Sequence, residues 1–137
     1  MLSCAVMNIS VITLGVQDIE ASSNFYQALD LIPEHSKSAV IYFQLGAVKL
    51  ALYPKEKLVS YLGIKEQKGS APLNFSNTAL SCNLDSVEQV VDFIDKARVA
   101  GAVITVIPQE QSWGGFAGVF CDLDGYAWEI VYNPAFS

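Results

Sequence analysis

The same order of predicted elements occurs twice along this chain. VITLGVQDIEASSNFYQAL begins with β-branched residues that favour a strand and continues with apolar residues at helical spacing. ALSCNLDSVEQVVDFI follows the same order in the second half. Strand-like segments separated by turn residues come after each helix. A strand, a helix and three strands, repeated within 137 residues, restrict the chain to a fold of two similar halves.

The two copies can be aligned at their first and last strands. We place Val11 opposite Ala79 and Leu50 opposite Glu129, using LALYP and EIVYNP as the matching closing strands. The second copy is then longer than the first, and its extra residues fall around PQEQSWGG. The order of the elements carries the repeat, because few residues are identical between the copies.

A polar segment separates the copies. KEQKGSAP contains glycine and proline together with charged residues, a composition typical of linkers. We therefore predict a first module at 1–64, a linker at 65–71 and a second module at 72–137. The two modules are expected to form one structural domain, since 137 residues suit a single domain.

Charge and cysteine content exclude several classes of protein. The net charge of −6 argues against a nucleic-acid partner, which needs basic patches. No apolar stretch approaches the roughly 18 residues that span a membrane, and the amino-terminal segment is expected to be a strand rather than a signal peptide. Cys4, Cys82 and Cys121 have no CxxC spacing. Reduced thiols and a cytoplasmic location are therefore predicted.

Several local signals mark where elements begin and end. Asp18 is placed to cap the first helix, and Ser86 with Gln89 forms a capping box for the helix of the second half. Gly101 is placed to end that helix. DLDG, between two strand-like segments near the carboxyl terminus, predicts a hairpin.

The chain resembles the vicinal oxygen chelate superfamily, also called the glyoxalase/bleomycin-resistance/extradiol-dioxygenase superfamily. The resemblance rests on VITLGVQDIEASSNFYQAL at the front and on WGGFAGVFCDLDGYAWEIVYNP at the back, which is similar to a D-x-D-G-x-x-W/I-E-hydrophobic closing pattern. It implies an α+β fold of two βαβββ modules that form an open, U-shaped barrel around a pocket. Enzymes of the family hold a divalent metal in that pocket.

The resemblance also implies where metal ligands would stand. Carried over by the alignment, the positions are Val11, Leu50, Ala79 and Glu129, and of these only Glu129 has a donor atom. The single histidine, His35, lies outside this pattern. A bound Zn²⁺ usually needs at least three protein ligands. We therefore predict neither a metal nor another cofactor.

Strand alternation then predicts the lining of the pocket. If the four carried-over positions face inward, the residues two places along each strand do so too. Trp113, in the extra loop, is expected to cover the mouth, and Trp128 is expected to face outward onto a helix. The predicted ligand-binding residues are Thr13, Leu50, Leu52, Ala79, Ser81, Asn83, Trp113, Phe116 and Glu129.

Three functions remain open on this basis. The first is a binding protein that sequesters a small aromatic or cationic ligand without a metal, as the bleomycin-resistance branch does. The second is a metal-free isomerase or lyase in which Glu129 is the catalytic acid or base. The third is a metal-dependent glyoxalase-like lyase whose ligands the alignment has misplaced.

Two further expectations concern Glu129 and assembly. A carboxylate among apolar residues needs a hydrogen-bond partner, so Glu129 is also compatible with a structural role in which it bonds to Thr13 or Ser81. Relatives of this size often form homodimers, and open sheet edges need covering, so we expect a homodimer.

Overall fold

The computed structural model describes residues 6–35, 39–64 and 76–136, and the predicted linker 65–71 lies outside them. Two helix-containing modules of four strands each follow one another. Their elements are β1 (Val11–Val16), α1 (Ile19–Gln27), β2 (Pro33–His35), β3 (Ile41–Leu45), β4 (Val48–Pro54) and α2 (Lys55–Leu62), then β5 (Ala79–Leu84), α3 (Val87–Ala100), β6 (Val103–Glu110), β7 (Phe116–Cys121), β8 (Ala127–Tyr132) and a 3-10 helix (Pro134–Phe136).

The two sheets have the same topology. Their strand orders are β1-β4-β3-β2 and β5-β8-β7-β6. In each sheet the first strand runs parallel to the fourth, and the other neighbours are antiparallel. The predicted α+β fold of two βαβββ modules is therefore confirmed. The repeat that the sequence shows as an order of elements is a repeat of sheet topology.

The described chain divides into two compact units, and the boundary passes through α1. One unit holds β1, α1 as far as Ser23, and β2 to α2. The other holds Asn24–Asp30 and the elements from β5 onward. The second half of α1 thus belongs to the core of the second sheet, although it precedes that sheet by about fifty residues in the chain.

The first sheet has one apolar face and one mixed face. The apolar face is the core of this unit, because its side chains are buried. Its members are Leu14, Val16, Ile41, Phe43, Leu50 and Leu52. The opposite face carries Thr13 and Tyr42, which pair with Ala51 on β4.

In the second unit α3 covers one face of the sheet. Val90, Ile94 and Ala97 are the buried residues of this helix. Gly118 on β7 allows the helix to approach, since a Cβ there would lie 3.1 Å from Ile94 Cγ1. Burial of this apolar stripe stabilises the unit by about 2 kcal/mol for each large side chain.

The aromatic core of the second unit includes residues from α1. Phe25 and Tyr26 contact each other edge-on, with ring centroids 5.0 Å apart. Tyr26 lies 5.9 Å from Trp128, and Trp128 stacks on Phe120 at 6.3 Å. Trp128 is buried and contacts a helix, as its position next to Glu129 predicted. Such ring pairs contribute about 0.5–1.5 kcal/mol beyond the area they bury.

The helix ends follow the sequence signals. The Ala21 N–H donates to Asp18 Oδ1 at 3.1 Å, and the Gln89 N–H donates to Ser86 Oγ at 3.1 Å. These bonds satisfy N–H groups that have no partner within the helix. Gly101 ends α3 with a φ of 114°, a conformation that glycine adopts without strain. The predicted roles of Asp18, Ser86 and Gly101 are confirmed, but the Gln89 side chain accepts the N–H of Asp85 rather than that of Ser86, so the capping box is only half formed.

The local sequence of β2 gives the weakest prediction of any element. It consists of Pro33, Glu34 and His35 and contains no β-branched residue. Pairing with β3 makes it a strand, with Glu34 opposite Tyr42 and His35 opposite Ile41. His35, the single histidine, therefore lies on a strand, where it is exposed.

Candidate functional site

Glu129 lies in the middle of β8, on the face of the second sheet away from α3. It pairs with Ser81 on β5 and with Val119 on β7. Neighbouring Trp128 and Ile130 point to the buried side, because side chains alternate along a strand. We call this surface the Glu129 face; its residues are Ala79, Ser81, Asn83, Ala117, Val119, Glu129 and Val131.

One hydrogen bond orients the Glu129 carboxylate. Ser81 Oγ donates to Glu129 Oε1 at 2.9 Å, which confirms the predicted contact with Ser81. Among the described residues, no other hydrogen bond or ion pair of this carboxylate occurs, so Oε2 has no described partner. Glu129 is half-buried, and water solvates it only in part. The face therefore presents an oriented negative charge with one oxygen available to a ligand.

The neighbours of Glu129 are polar on one side and apolar on the other. Ser81 and Asn83 are exposed on the edge strand β5. Ala117 and Val131 are buried. A surface that combines apolar contact area with a few oriented polar groups is typical of small-molecule sites.

Leu50 and Leu52 do not share a face with Thr13, so that prediction is wrong. Thr13 pairs with Ala51, which places Leu50 and Leu52 on the opposite side of the sheet. Both leucines are fully buried in the core. The residue of the first sheet that corresponds to Glu129 is therefore Ala51, which pairs with Thr13 as Glu129 pairs with Ser81.

Phe116 lies on the opposite face of the second sheet from Glu129, and Trp113 lies in the turn before β7. Phe116 pairs with Tyr132 and lies on the side that α3 covers. A cavity of about 240 Å³ separates Phe116 from Val87 at the start of α3. Trp113 is 52% exposed, and its ring lies against Gly115, where a Cβ would clash with it. Trp113 is therefore an exposed aromatic residue on the β6–β7 turn.

A buried polar network lies on the α3 side of the second sheet, and the sequence did not predict it. The Tyr26 hydroxyl donates to Asp122 Oδ2 and accepts a hydrogen bond from Trp128 Nε1 at 3.1 Å. Asp122 Oδ1 accepts the N–H groups of Asp124 and Tyr126, each at 2.9 Å. The first aspartate of DLDG thus holds both the hairpin turn and α1. The D-x-D-G pattern signals the turn that Asp122 holds, but not its hydrogen bond with Tyr26.

Burial governs the protonation of this network. It raises the pKa of the Asp122 carboxyl, while the bond from Tyr26 and the two backbone N–H groups oppose that rise. Burial and the neighbouring Asp122 raise the pKa of Tyr26 well above its ordinary value. Tyr26 is therefore a hydroxyl donor at neutral pH. Because both carboxylate oxygens of Asp122 already accept hydrogen bonds, we assign the network a structural role: it holds β8 against α1 and the hairpin turn.

The cysteines that the structure describes are free. Cys121 is buried and Cys82 is half-buried. Burial raises the pKa of both thiols, so both remain protonated at neutral pH. A thiol must ionise to act as a nucleophile or metal ligand, and neither residue is suited to that role.

The metal centre that the resemblance implies does not fit the described residues. Nowhere in 6–35, 39–64 and 76–136 do three or more His, Cys, Asp or Glu side chains come close enough to hold a metal ion. Around Glu129, the paired residues Ser81 and Val119 supply one hydroxyl and one aliphatic group. Ala51, the counterpart of Glu129, has no donor.

Comparison with known proteins gives a family match and several similar structures. Residues 8–130 match the model of the Glyoxalase/Bleomycin resistance protein/Dioxygenase superfamily. No curated protein matches the chain. Among the helices that the structure describes, none is long and apolar enough to cross a membrane.

The similar structures cover almost the whole chain. A hypothetical protein from S. aureus has a TM-score of 0.82 at 20% identity, over 95% of this chain and 96% of that one. A glyoxalase-related enzyme from Fulvimarina pelagi has a TM-score of 0.81 at 28% identity, over 94% and 90%. A family enzyme from Burkholderia phytofirmans PsJN has a TM-score of 0.75 at 20% identity, over 92% and 98%.

Proposed function

Because the chain belongs to the Glyoxalase/Bleomycin resistance protein/Dioxygenase superfamily, we propose that it binds a small organic cation beside Glu129. The observation that supports this is the carboxylate itself. Ser81 fixes one oxygen, and the other has no partner among the described residues. A ligand that brings a positive charge would supply a partner for the second carboxylate oxygen.

The setting of Glu129 favours a cation over a neutral guest. The carboxylate is half-buried, and in a medium of lower dielectric constant than water an opposite charge is attracted more strongly. The net charge of −6 adds a weak attraction for cations at longer range. Ala117 and Val131 provide apolar contact area for the body of the ligand.

The test is the substitution Glu129→Gln, with phenyltrimethylammonium as the probe. Glutamine keeps the shape and can still accept the Ser81 hydrogen bond, but it removes the charge. We expect binding to weaken by about 2 kcal/mol, roughly thirty-fold in Kd, because the ligand cation then lies desolvated and unpaired. Isothermal titration calorimetry on both proteins measures the difference.

A matched control corrects for net charge. Glu110→Gln removes one charge from an exposed position on β6 and should leave cation binding nearly unchanged. If both variants weaken binding equally, the effect comes from the field of the whole molecule. If neither weakens it, Glu129 is not the counter-charge, and a loss of melting temperature in Glu129→Gln alone would indicate a structural carboxylate.

The Ser81–Glu129 pair also favours one alternative, a metal-free isomerase or lyase. In that function Glu129 is the acid or base, and the Ser81 hydroxyl holds the carboxylate in position for proton transfer. The same variant separates the two functions. A catalytic Glu129 gives a variant that binds substrate and does not turn it over.

Assembly and compartment complete the proposal. In each sheet the first and second strands are edges, so β1 and β5 each have one strand neighbour among the described residues. Such edges need a cover, and a second copy of the chain provides one, so we propose a homodimer. The free thiols of Cys82 and Cys121 suit a reducing compartment.

A further inference from the structure

We propose that the second unit carries a site for a small, neutral, polyhydroxylated ring, such as a pyranose sugar, in the cavity of about 240 Å³ beside Phe116. We call it the β6–β7 cavity; its lining includes Val87, Glu110, Gln111, Gly115, Phe116 and Tyr132. All of these residues belong to the second unit, and Phe116 lies on the opposite face of its sheet from Glu129. The inference therefore does not rest on the proposed function.

Strand pairing sets the floor of the β6–β7 cavity. Glu110 on β6 pairs with Phe116 on β7, and Phe116 pairs with Tyr132 on β8. Paired residues point to the same face of a sheet, so an apolar ring lies between a carboxylate and a phenol. Val87 lines the cavity from the start of α3. The floor is therefore apolar at its centre and polar at both sides.

A closed turn holds a second aromatic ring at the edge of this cavity. The Gln111 N–H donates to the Gly115 carbonyl at 2.8 Å, and the Gly114 N–H donates to the Gln111 carbonyl at 3.0 Å. Within this turn, the six-membered ring of Trp113 occupies the space where a Cβ of Gly115 would lie. Because Gly115 lines the cavity, the Trp113 ring lies at its edge with 52% of the residue exposed. A ring that the turn already holds loses little freedom when a ligand packs on it.

The polar groups of the lining are available to a ligand. Neither the Glu110 carboxylate nor the Tyr132 hydroxyl forms a hydrogen bond with a described residue. The Gln111 side chain is oriented by its Nε2, which donates to the Gln109 carbonyl at 3.2 Å, and its Oε1 has no partner in the described ranges. The lining thus offers two acceptor groups and one hydroxyl that can both donate and accept.

This arrangement favours a guest with apolar ring faces and hydroxyl groups around its edge. A flat hydrocarbon ring would displace water from Glu110 and Tyr132 without replacing its hydrogen bonds, which is costly. A pyranose can pack its C–H groups on Phe116 or Trp113 while its hydroxyls bond to the polar groups at the sides. The cavity is smaller than the roughly 300–1,000 Å³ of sites for drug-sized ligands, so a single ring suits it best.

The exposure of Glu110 favours a neutral guest over a charged one. Because this carboxylate is exposed, water screens its charge, and an ion pair at this position contributes little. Its oxygens still accept hydrogen bonds from hydroxyl groups. An anionic guest would be repelled by the same carboxylate. A neutral compound with several hydroxyls uses the carboxylate as an acceptor and needs no charge of its own.

The test titrates the protein with the methyl pyranosides of glucose, galactose and mannose, followed by saturation-transfer difference NMR. This measurement observes the ligand, so it remains usable when a tryptophan is replaced. We expect at least one of these sugars to bind with a Kd on the order of 1 mM, as a small polar ligand does. Absence of binding by all of them at concentrations well above that value overturns the inference.

Two variants test the edge and the floor of the cavity separately. Trp113→Ala removes the exposed ring and should weaken binding about five-fold or more, the contribution of one ring contact. Tyr132→Phe keeps the ring and removes only the hydroxyl, and it should weaken binding about five-fold through the loss of one hydrogen bond. Circular dichroism verifies the fold of both variants. Unchanged binding in both overturns the inference.

Ile107→Ala is the matched control, because Ile107 is 70% exposed on β6 and does not line the cavity. It should leave pyranoside binding unchanged, and equal weakening in Ile107→Ala and Trp113→Ala overturns the inference. Glu110→Gln keeps an acceptor oxygen and should change pyranoside binding less than Tyr132→Phe does. A Trp113→Ala protein that loses phenyltrimethylammonium more than the pyranoside overturns the neutral class.

The two proposals fail in different ways. Failure of the proposed function appears as unchanged cation binding in Glu129→Gln. That variant should keep pyranoside binding, because the second sheet separates Glu129 from Phe116. Loss of pyranoside binding in Glu129→Gln, with none in Trp113→Ala, would place the sugar on the Glu129 face and overturn this inference.

Discussion

The buried hydroxyl of Tyr26 can be removed without changing the packing around it. Tyr26→Phe keeps the ring against Phe25 and Trp128, whose centroids lie 5.0 Å and 5.9 Å away. It deletes one donor and one acceptor at a site that is 1% exposed. Asp122 Oδ2 loses its donor, and Trp128 Nε1 loses its acceptor. The substitution therefore tests the network rather than the core.

The expected cost follows from the two groups left behind. An unsatisfied buried polar group costs about 1–3 kcal/mol, and a bond to a charged acceptor lies toward the upper end. Asp122 keeps its two backbone N–H donors at 2.9 Å, so only the Oδ2 atom of the carboxylate loses a hydrogen bond. We expect a loss of about 3 kcal/mol at pH 7. For a chain of this size that corresponds to a melting temperature lower by roughly 10 °C.

The cost should depend on pH, and the sign can be worked out. Burial raises the pKa of Asp122, so the stability this group contributes is present below the ordinary carboxyl pKa and is lost as pH rises through the raised value. The hydrogen bond from Tyr26 opposes the rise. Without that bond the pKa rises further, and ionised Asp122 costs more. The difference between the proteins is therefore larger at pH 7 than at about pH 4, the ordinary carboxyl range.

Urea denaturation of both proteins at pH 4.5 and pH 7, followed by circular dichroism, measures this difference. Tyr132→Phe is the control, because the Tyr132 hydroxyl forms no hydrogen bond with described residues; its cost should be small and independent of pH. A loss below about 1 kcal/mol in Tyr26→Phe would refute the network. An equal loss at both pH values would refute the role of ionised Asp122.

Two further predictions concern composition and assembly. Protein purified without a chelator should carry no stoichiometric Zn²⁺, Ni²⁺ or Fe²⁺, because the described residues bring no three metal-binding side chains together, at Glu129 or elsewhere. Elemental mass spectrometry that found one tightly bound ion per chain would contradict this. The chain should be a dimer at micromolar concentration, because β1 and β5 are edge strands that a second copy could cover. A monomer mass from light scattering would contradict this prediction.

Local signals predicted the elements well, since each depends on a few neighbouring residues. Asp18, Ser86 and Gly101 begin or end helices because of their own side chain or its absence, so sequence suffices. The resemblance predicted the fold class for a related reason: the order of elements fixes the topology of each sheet. The role of Asp122 could not be predicted this way, because its partner Tyr26 lies ninety-six residues away.

The prediction of which side chains of β4 face the pocket was wrong, because the alignment was shifted by one residue. Leu50, Ala51 and Leu52 are all apolar and all buried, so alternation gives no signal in this strand. Matching LALYP to EIVYNP then placed Leu50 opposite Glu129, one residue away from the position that strand pairing gives to Ala51. A slip of one residue turns every side chain to the other face. Glu129 does share a face with Ser81, as alternation from the carried-over positions predicted.

The neighbours Trp128 and Glu129 show how one strand can serve stability and binding separately. Trp128 points into the aromatic core and bonds to Tyr26, while Glu129 points to the opposite face and bonds to Ser81. Because the sheet separates them, the charge of Glu129 can change without altering the packing of Trp128. The same holds in the first sheet, where buried Leu50 supports the core and Ala51 leaves room on the other face. In both sheets the fourth strand therefore stabilises the fold with one set of side chains, and a change in the alternate set leaves that packing in place.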